Sequence, residues 1–178
     1  MSSPAVKNFL LQQGYPEELD TACAAHFSAL SLQPRVVGLV AAIAILSQAA
    51  GIFLALSLVL WWNVAFPKRN LFELFYNRFV AAPRGKPLLT PAPAPRLFAQ
   101  GMAATFLLAI ALSLAMHWLI ASLILQGLLI LALMVLLGAR FCLGAFVYQL
   151  LRGKFAFAFS TLPWSRPRRE SSGNESAG

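Results

Sequence analysis

The chain has 178 residues, of which 59% are hydrophobic and only 11% charged, and its net charge is +8. An ordinary soluble domain carries about 25% charged residues, and a single soluble core of this size has no room for so much apolar surface. The composition therefore argues against a soluble enzyme or a nucleic-acid-binding domain and for an all-α, polytopic membrane protein, whose positive charge reads as topology because cytoplasmic segments collect Lys and Arg.

Residues 1–31 read as an N-terminal helical arm. The opening MSSPAVKNFLLQQGYPEEL does not combine a basic start, an apolar core and a small-residue cleavage site, so insertion is expected to use the internal apolar segments. A first helix over SPAVKNFLLQQG is expected to end at Gly14, in a left-handed conformation. Pro16, Glu17, Glu18 and Asp20 suit the first turn of a second helix. Cys23, His26, Phe27 and Leu30 then follow at helical spacing. Cys23 and His26 make a lone Cys-x-x-His, and a zinc site needs about four ligands. No metal site and no cofactor is expected.

From Val36 to Phe66 there is no charged residue. One continuous helix there would be roughly 46 Å long, against a hydrocarbon core of about 30 Å. A hairpin turning at SQAAG, residues 47–51, is preferred, with helices over about 34–49 and 52–66. Pro34 starts the first limb and Pro67 stops the second. Trp61 and Trp62 fall where an aromatic belt lies, followed at once by Lys68 and Arg69.

In NLFELFYNRFV, Asn70 and Glu73 have capping-box spacing. Leu71, Phe72, Phe75, Tyr76, Phe79 and Val80 fall on one side, which predicts an amphipathic interfacial helix over about 70–80. The following PRGKPLLTPAPAP holds five of the eleven prolines and predicts an extended, stiff linker. Residues 67–96 thus form an interfacial helix and a Pro-rich loop.

Between Leu97 and Ala139 the only titratable residue is His117. Helices are expected over about 97–116 and 119–151, breaking at MHW. Gly101, Thr105, Ala109 and Ser113 recur every fourth residue, a small-residue ridge along which another helix can approach closely. Gly138, Cys142, Ala145 and Gln149 share a face of the last helix, and Gly138, Cys142 and Ala145 read as packing positions. Arg140 is expected to snorkel to lipid headgroups, with Tyr148 at the same interface. Residues 153–178 are basic and polar and predict a disordered tail.

Topology follows from charge. Residues 67–96 carry six basic residues and one acidic one, and the region from Arg140 onward six and two. Four membrane helices in two hairpins place both termini and the basic loop in the cytoplasm. A three-helix alternative moves the N-terminal arm outside, and that arm, with two basic and three acidic residues through Arg35, does not decide between them.

PAPRLFAQGMAATF, followed after an apolar stretch by RFCLGAFVY, resembles the DUF4395 family of small bacterial membrane proteins. LQPRVVGLVAAI is similar to its opening helix and WNVAFPKRNLFELFYNRF to its central loop. The resemblance covers about residues 32–152 and implies a compact helical membrane domain. Many relatives read Cys-x-Gly-Cys where this chain has Cys142-Leu143-Gly144-Ala145, and some are encoded near thioredoxin-like or sulfur-handling proteins. A Cys-x-x-Cys pair cycles between dithiol and disulfide; here Ala145 replaces the second sulfur.

Enzyme signatures are otherwise absent from the sequence: no Walker-type loop, no His-Glu-x-x-His, no Gly-x-Ser-x-Gly. No carboxylate lies within an apolar run, so a proton relay lacks its usual residues. Gln48, Asn63 and Gln126 read as helix–helix hydrogen-bonding groups. The expected function is a non-catalytic helix-packing or accessory subunit in the bacterial inner membrane, with the lipid bilayer and other membrane helices or a second copy as partners. The alternatives are a thiol or sulfur relay at Cys142 and, behind it, a small-molecule or lipid-handling channel.

Overall fold

In a computed structural model of the protein, residues 4–15, 30–85, 88–89 and 91–162 are described. These residues are all-helical, with no strand among them. Helix α1 spans Pro4–Gln13, α2 Leu32–Ser47, α3 Ala50–Ala65, α4 Leu71–Tyr76, α5 Ala94–Ala115, α6 Leu119–Gly138, α7 Leu143–Leu151 and α8 Phe155–Ser160. Of these, α5 and α6 are long and apolar enough to cross a membrane, while α2 and α3 are apolar but shorter. The second arm helix, with Cys23 and His26, lies outside the described residues; of the tail 153–178 expected to be disordered, Phe155–Ser160 instead form α8, packed against α7, and the part beyond residue 162 lies outside the described residues.

The uncharged run 36–66 is two helices, as its length requires. Gln48 turns the chain in a left-handed conformation, φ 49°, and α2 returns against α3. Nothing in that turn needs glycine, because the Gln48 amide stabilises it. Its Nε2 donates to Gln126 Oε1 at 3.0 Å, and Gln126 Nε2 donates back at 3.2 Å. The two amides thus satisfy each other, joining the turn to α6. The second hairpin turns at His117, φ 57°, between α5 and α6.

Helices α2, α3, α5 and α6 surround one apolar core containing Val37, Phe53, Leu60, Leu107, Ile110 and Leu129. The principal pair is α3 with α5. Small residues let them approach: Ser57 Oγ donates to the Ala104 carbonyl at 2.8 Å. The packed face of α5 is therefore Gln100, Ala104, Leu107 and Ala111. The predicted ridge is rotated from it: Ser113 is buried, Gly101 and Ala109 are half-buried, and Thr105 is exposed. Four-residue spacing identifies a row but not which row meets the neighbour.

A second core lies beside the first. Phe9 and Leu10 of α1 meet Tyr76, Leu89, Cys142 and Ala145. Helix α1 is thus packed into the molecule. Gly14 does end α1 with positive φ, +90°, and that tight exit sets Tyr15 inward, 4% exposed.

The predicted helix 119–151 is two helices. Residue Gly138 ends α6, Arg140 adopts φ 53°, and α7 restarts at Leu143. Apolar periodicity continues across the break, which is why the sequence reads as one helix. The break is held by tertiary contact: the Cys142 N–H, unable to bond within α7, donates to Gln12 Oε1 of α1 at 2.9 Å.

Candidate functional site

Arg96 stands in the first turn of α5, at the end of the long uncharged run, and is only 5% exposed. A cation at a helix N-terminus opposes the dipole, so its burial there demands local partners. Its Nη2 donates to Gln33 Oε1 at 3.0 Å and its Nη1 to Tyr15 Oη at 3.3 Å. Gln100, one turn further along α5, donates Nε2 to the same Gln33 oxygen at 3.0 Å. That geometry orients both amides. Gln33 must present its oxygen to the guanidinium, so Gln100 must present its nitrogen to Gln33. Gln100 Oε1 is left as a buried acceptor with no partner.

This polar cluster closes one end of a cavity of about 120 Å³. Apart from Gln13, the rest of the wall is apolar, from Val37 of α2, Leu60 of α3, Ala103 and Leu107 of α5, and Leu129 and Leu133 of α6. Cys142 also lines it, beside Arg96. Its thiol is buried, and burial pushes its pKa upward. A thiol so held is a poor nucleophile, because the thiolate is the reactive form.

A carboxylate stands in the field of Arg96 without pairing to it. Glu73 of α4 is buried, and Asn70 Nδ2 donates to its Oε1 at 3.2 Å. Burial raises its pKa from 4.5 to about 7, and the positive charge of Arg96 works against that rise. Asn70 also caps α4, its Oδ1 accepting from the Phe72 N–H at 3.1 Å. The predicted capping pair is real, although the amide of Asn70, not its backbone, reaches Glu73.

The other residues singled out from the sequence divide. Trp61, Trp62, Lys68, Arg69, Phe75 and Arg140 are exposed. Phe72 is half-buried against the main core, and Tyr148 is half-buried with its ring 5.6 Å from that of Phe98. Tyr76 is not interfacial: it is 6% exposed and belongs to the second core. The helix containing it is turned so that Glu73 and Tyr76 face inward and Leu71, Leu74 and Phe75 outward. Gly138 makes no close helix contact within the described residues. Ala145 is fully buried, and Cys142 joins it in the second core from the loop before α7.

A close helix crossing at Gly144 was not anticipated. A Cβ on Gly144 would lie 2.7 Å from Ala99 Cα and Cβ, so α7 crosses α5 at that point with no room for a side chain. Gln33, Arg96 and Gln100 were missed too. A signal existed: Arg96 and Gln100 are four apart, hence on one helix face, at the edge of an uncharged run where an inward polar pair stands out. Among the described residues no group of three His, Cys, Asp or Glu is placed to hold a metal ion.

These features define an all-helical protein with two helices of membrane-crossing length and apolarity, and a largely apolar cavity bordered by a buried polar cluster. The DUF4395 family model, a domain of unknown function, matches residues 26–153, and the chain belongs to that family. No curated protein and no solved structure matches it.

Proposed function

We propose that the protein is a multi-pass component of the bacterial inner membrane that acts without catalysis, as a helix-packing or accessory subunit of a membrane complex. The observation that carries this reading is the apolar exterior of all four bundle helices. Leu39, Ile43 and Leu46 of α2, Leu58 of α3, Leu112 of α5 and Ile120 and Met134 of α6 are all exposed. In water such a surface would drive aggregation; in a bilayer it meets lipid or another helix. A 16-residue helix such as α2 or α3 is about 24 Å long, and local thinning of the bilayer makes up the difference from its core of about 30 Å. We read all four as spans, with both termini cytoplasmic.

The small-residue row of α5, exposed at Thr105 and half-buried at Ala109, suits a partner helix. Replacing Ala109 by Leu would hold two backbones apart, whereas Leu108→Ala would leave the row intact. Copurification in mild detergent is expected to lose the partner with Ala109→Leu and retain it with Leu108→Ala. Equal recovery would remove the case for that interface. A thiol relay has less support, since Cys142 is buried and no second sulfur stands at position 145. A ligand-handling role draws support from the cavity.

A further inference from the structure

A second pocket, of about 100 Å³ and mostly polar in its surface, lies where α2 begins and α6 ends. Two arginines line it: Arg35 in the first turn of α2, and Arg140 in the break after α6. Ser31, the N-cap of α2, borders it, and Phe9, Leu136 and Leu137 supply apolar wall. Arg35 is exposed, and its side chain makes no hydrogen bond or ion pair among the described residues. Two like charges lining one small space repel each other, whatever else Arg140 contacts. Beside the pocket both helices turn apolar residues outward. Val36, Leu39 and Ile43 of α2 are exposed, as are Met134 and Leu137 of α6. The two helices meet there at Gly38, where an added Cβ would lie 3.6 Å from Leu137 Cδ1.

We propose that the pocket of Arg35 and Arg140 holds the phosphate group of an anionic phospholipid, whose acyl chains lie on the exposed apolar faces of α2 and α6. Guanidinium groups recognise phosphate through parallel charge-assisted hydrogen bonds. A water molecule occupies about 30 Å³ in the liquid, so the pocket takes a compact tetrahedral group and leaves the acyl chains outside. The positive end of the α2 dipole acts in the same direction as the arginines. Leu137 both lines the pocket and is exposed, so polar pocket and apolar exterior are continuous, as a lipid requires and a free phosphate does not. A single snorkelling arginine meets any headgroup. A pair around one space selects by net charge: choline or ethanolamine adds a cation beside the two arginines, and a glycerol headgroup does not. This assignment rests on the membrane reading of the chain.

The test is equilibrium binding of phosphatidylglycerol to the delipidated full chain in nonionic detergent, read by native mass spectrometry, with phosphatidylcholine of the same chains as comparator. Phosphatidylglycerol is expected to bind about tenfold more tightly. Arg35→Gln and Arg140→Gln should each erase most of that preference and leave phosphatidylcholine binding unchanged. Arg84→Gln, at another exposed arginine on the segment joining α3 to α5, should preserve the preference. Because Arg35 is exposed and unpaired among the described residues, Arg35→Gln should melt with the parent in lipid-free detergent, which separates lost binding from misfolding. Phosphatidylcholine held as tightly as phosphatidylglycerol overturns the anionic assignment. A full preference in Arg35→Gln, or an equal loss in Arg84→Gln, overturns the pocket as the site. Displacement of the lipid by inorganic phosphate at equal concentration would make this a site for free anions and overturn the lipid. Recovery of the protein from the aqueous fraction would instead refute the membrane reading, so the two failures are distinguishable.

Discussion

Glycine 144 shows how much a single missing atom can decide. Its α-carbon sits where α7 crosses α5, and a methyl group there would fall 2.7 Å from two backbone-proximal atoms of Ala99. Neither partner is a flexible side-chain tip, so one helix must move. Gly144→Ala is expected to destabilise the protein by about 1–3 kcal/mol, the usual range for overpacking. Gly138→Ala, with nothing within 4 Å of the added carbon, should stay within about 0.5 kcal/mol of the parent. Thermal melts of the two variants check this, and equal melting temperatures would refute the close crossing. The neighbouring Cys142 is similarly structural: its N–H joins α7 to α1 through Gln12.

At the scale of elements, α4 is a helix whose inward and outward faces contradict simple amphipathicity. Its carboxylate points in with Tyr76, while Leu71, Leu74 and Phe75 point out. The cause is the arrangement around it: Asn70 caps the helix, Asn63 Oδ1 accepts from the Leu71 N–H at 2.9 Å, and Arg96 supplies a positive field at Glu73. The raised pKa has a definite consequence for stability. Between 4.5 and about 7 the folded protein holds a proton that the unfolded chain releases. Stability therefore falls as pH rises through that interval and levels off above it. The melting temperature is expected to drop from pH 5 to pH 8, with a smaller drop in Glu73→Gln. A parent protein that gains stability over the same interval would show that Arg96 outweighs burial. Between Asn77 and Leu89 a second device fixes the linker, with Asn77 Nδ2 donating to the Leu89 carbonyl at 3.2 Å and the Leu89 N–H donating back at 2.8 Å.

For the whole molecule, the proposed orientation follows from where charge sits relative to the bundle. Lys68, Arg69, Arg78 and Arg84 are exposed on the segment joining α3 to α5, and Arg140, Arg152 and Lys154 are exposed around α7. The two hairpin turns, at Gln48 and His117, carry no Lys or Arg. Cytoplasmic reporters fused after residues 32 and 82 are both expected to be active. An external signal at 32 with a cytoplasmic one at 82 would favour an odd number of spans before the loop, and the three-helix arrangement with it.

The helical class, both hairpin turns, the left-handed Gly14 and the Asn70–Glu73 pair were legible in the sequence because each depends on neighbours within a few residues: apolar run length, capping spacing, a breaker. The DUF4395 membership was legible for the same reason, in short contiguous motifs. What only the tertiary structure decided depends on segments far apart in the chain. Periodicity runs unbroken through residues 119–151, and only the contact from Gln12 reveals why α6 stops and α7 restarts. The small-residue row of α5 is visible, but the rotation that turns Ala104 to Ser57 is not. The polar cluster at the edge of the cavity is the extreme case. Tyr15, Gln33, Arg96, Gln100 and Cys142 come from four parts of the chain; the first four read as unremarked polar residues, and Cys142 reads only as a packing position or a lone thiol. Their chemistry exists only because folding buries them together, where low dielectric makes one unpaired charge and one unsatisfied oxygen matter.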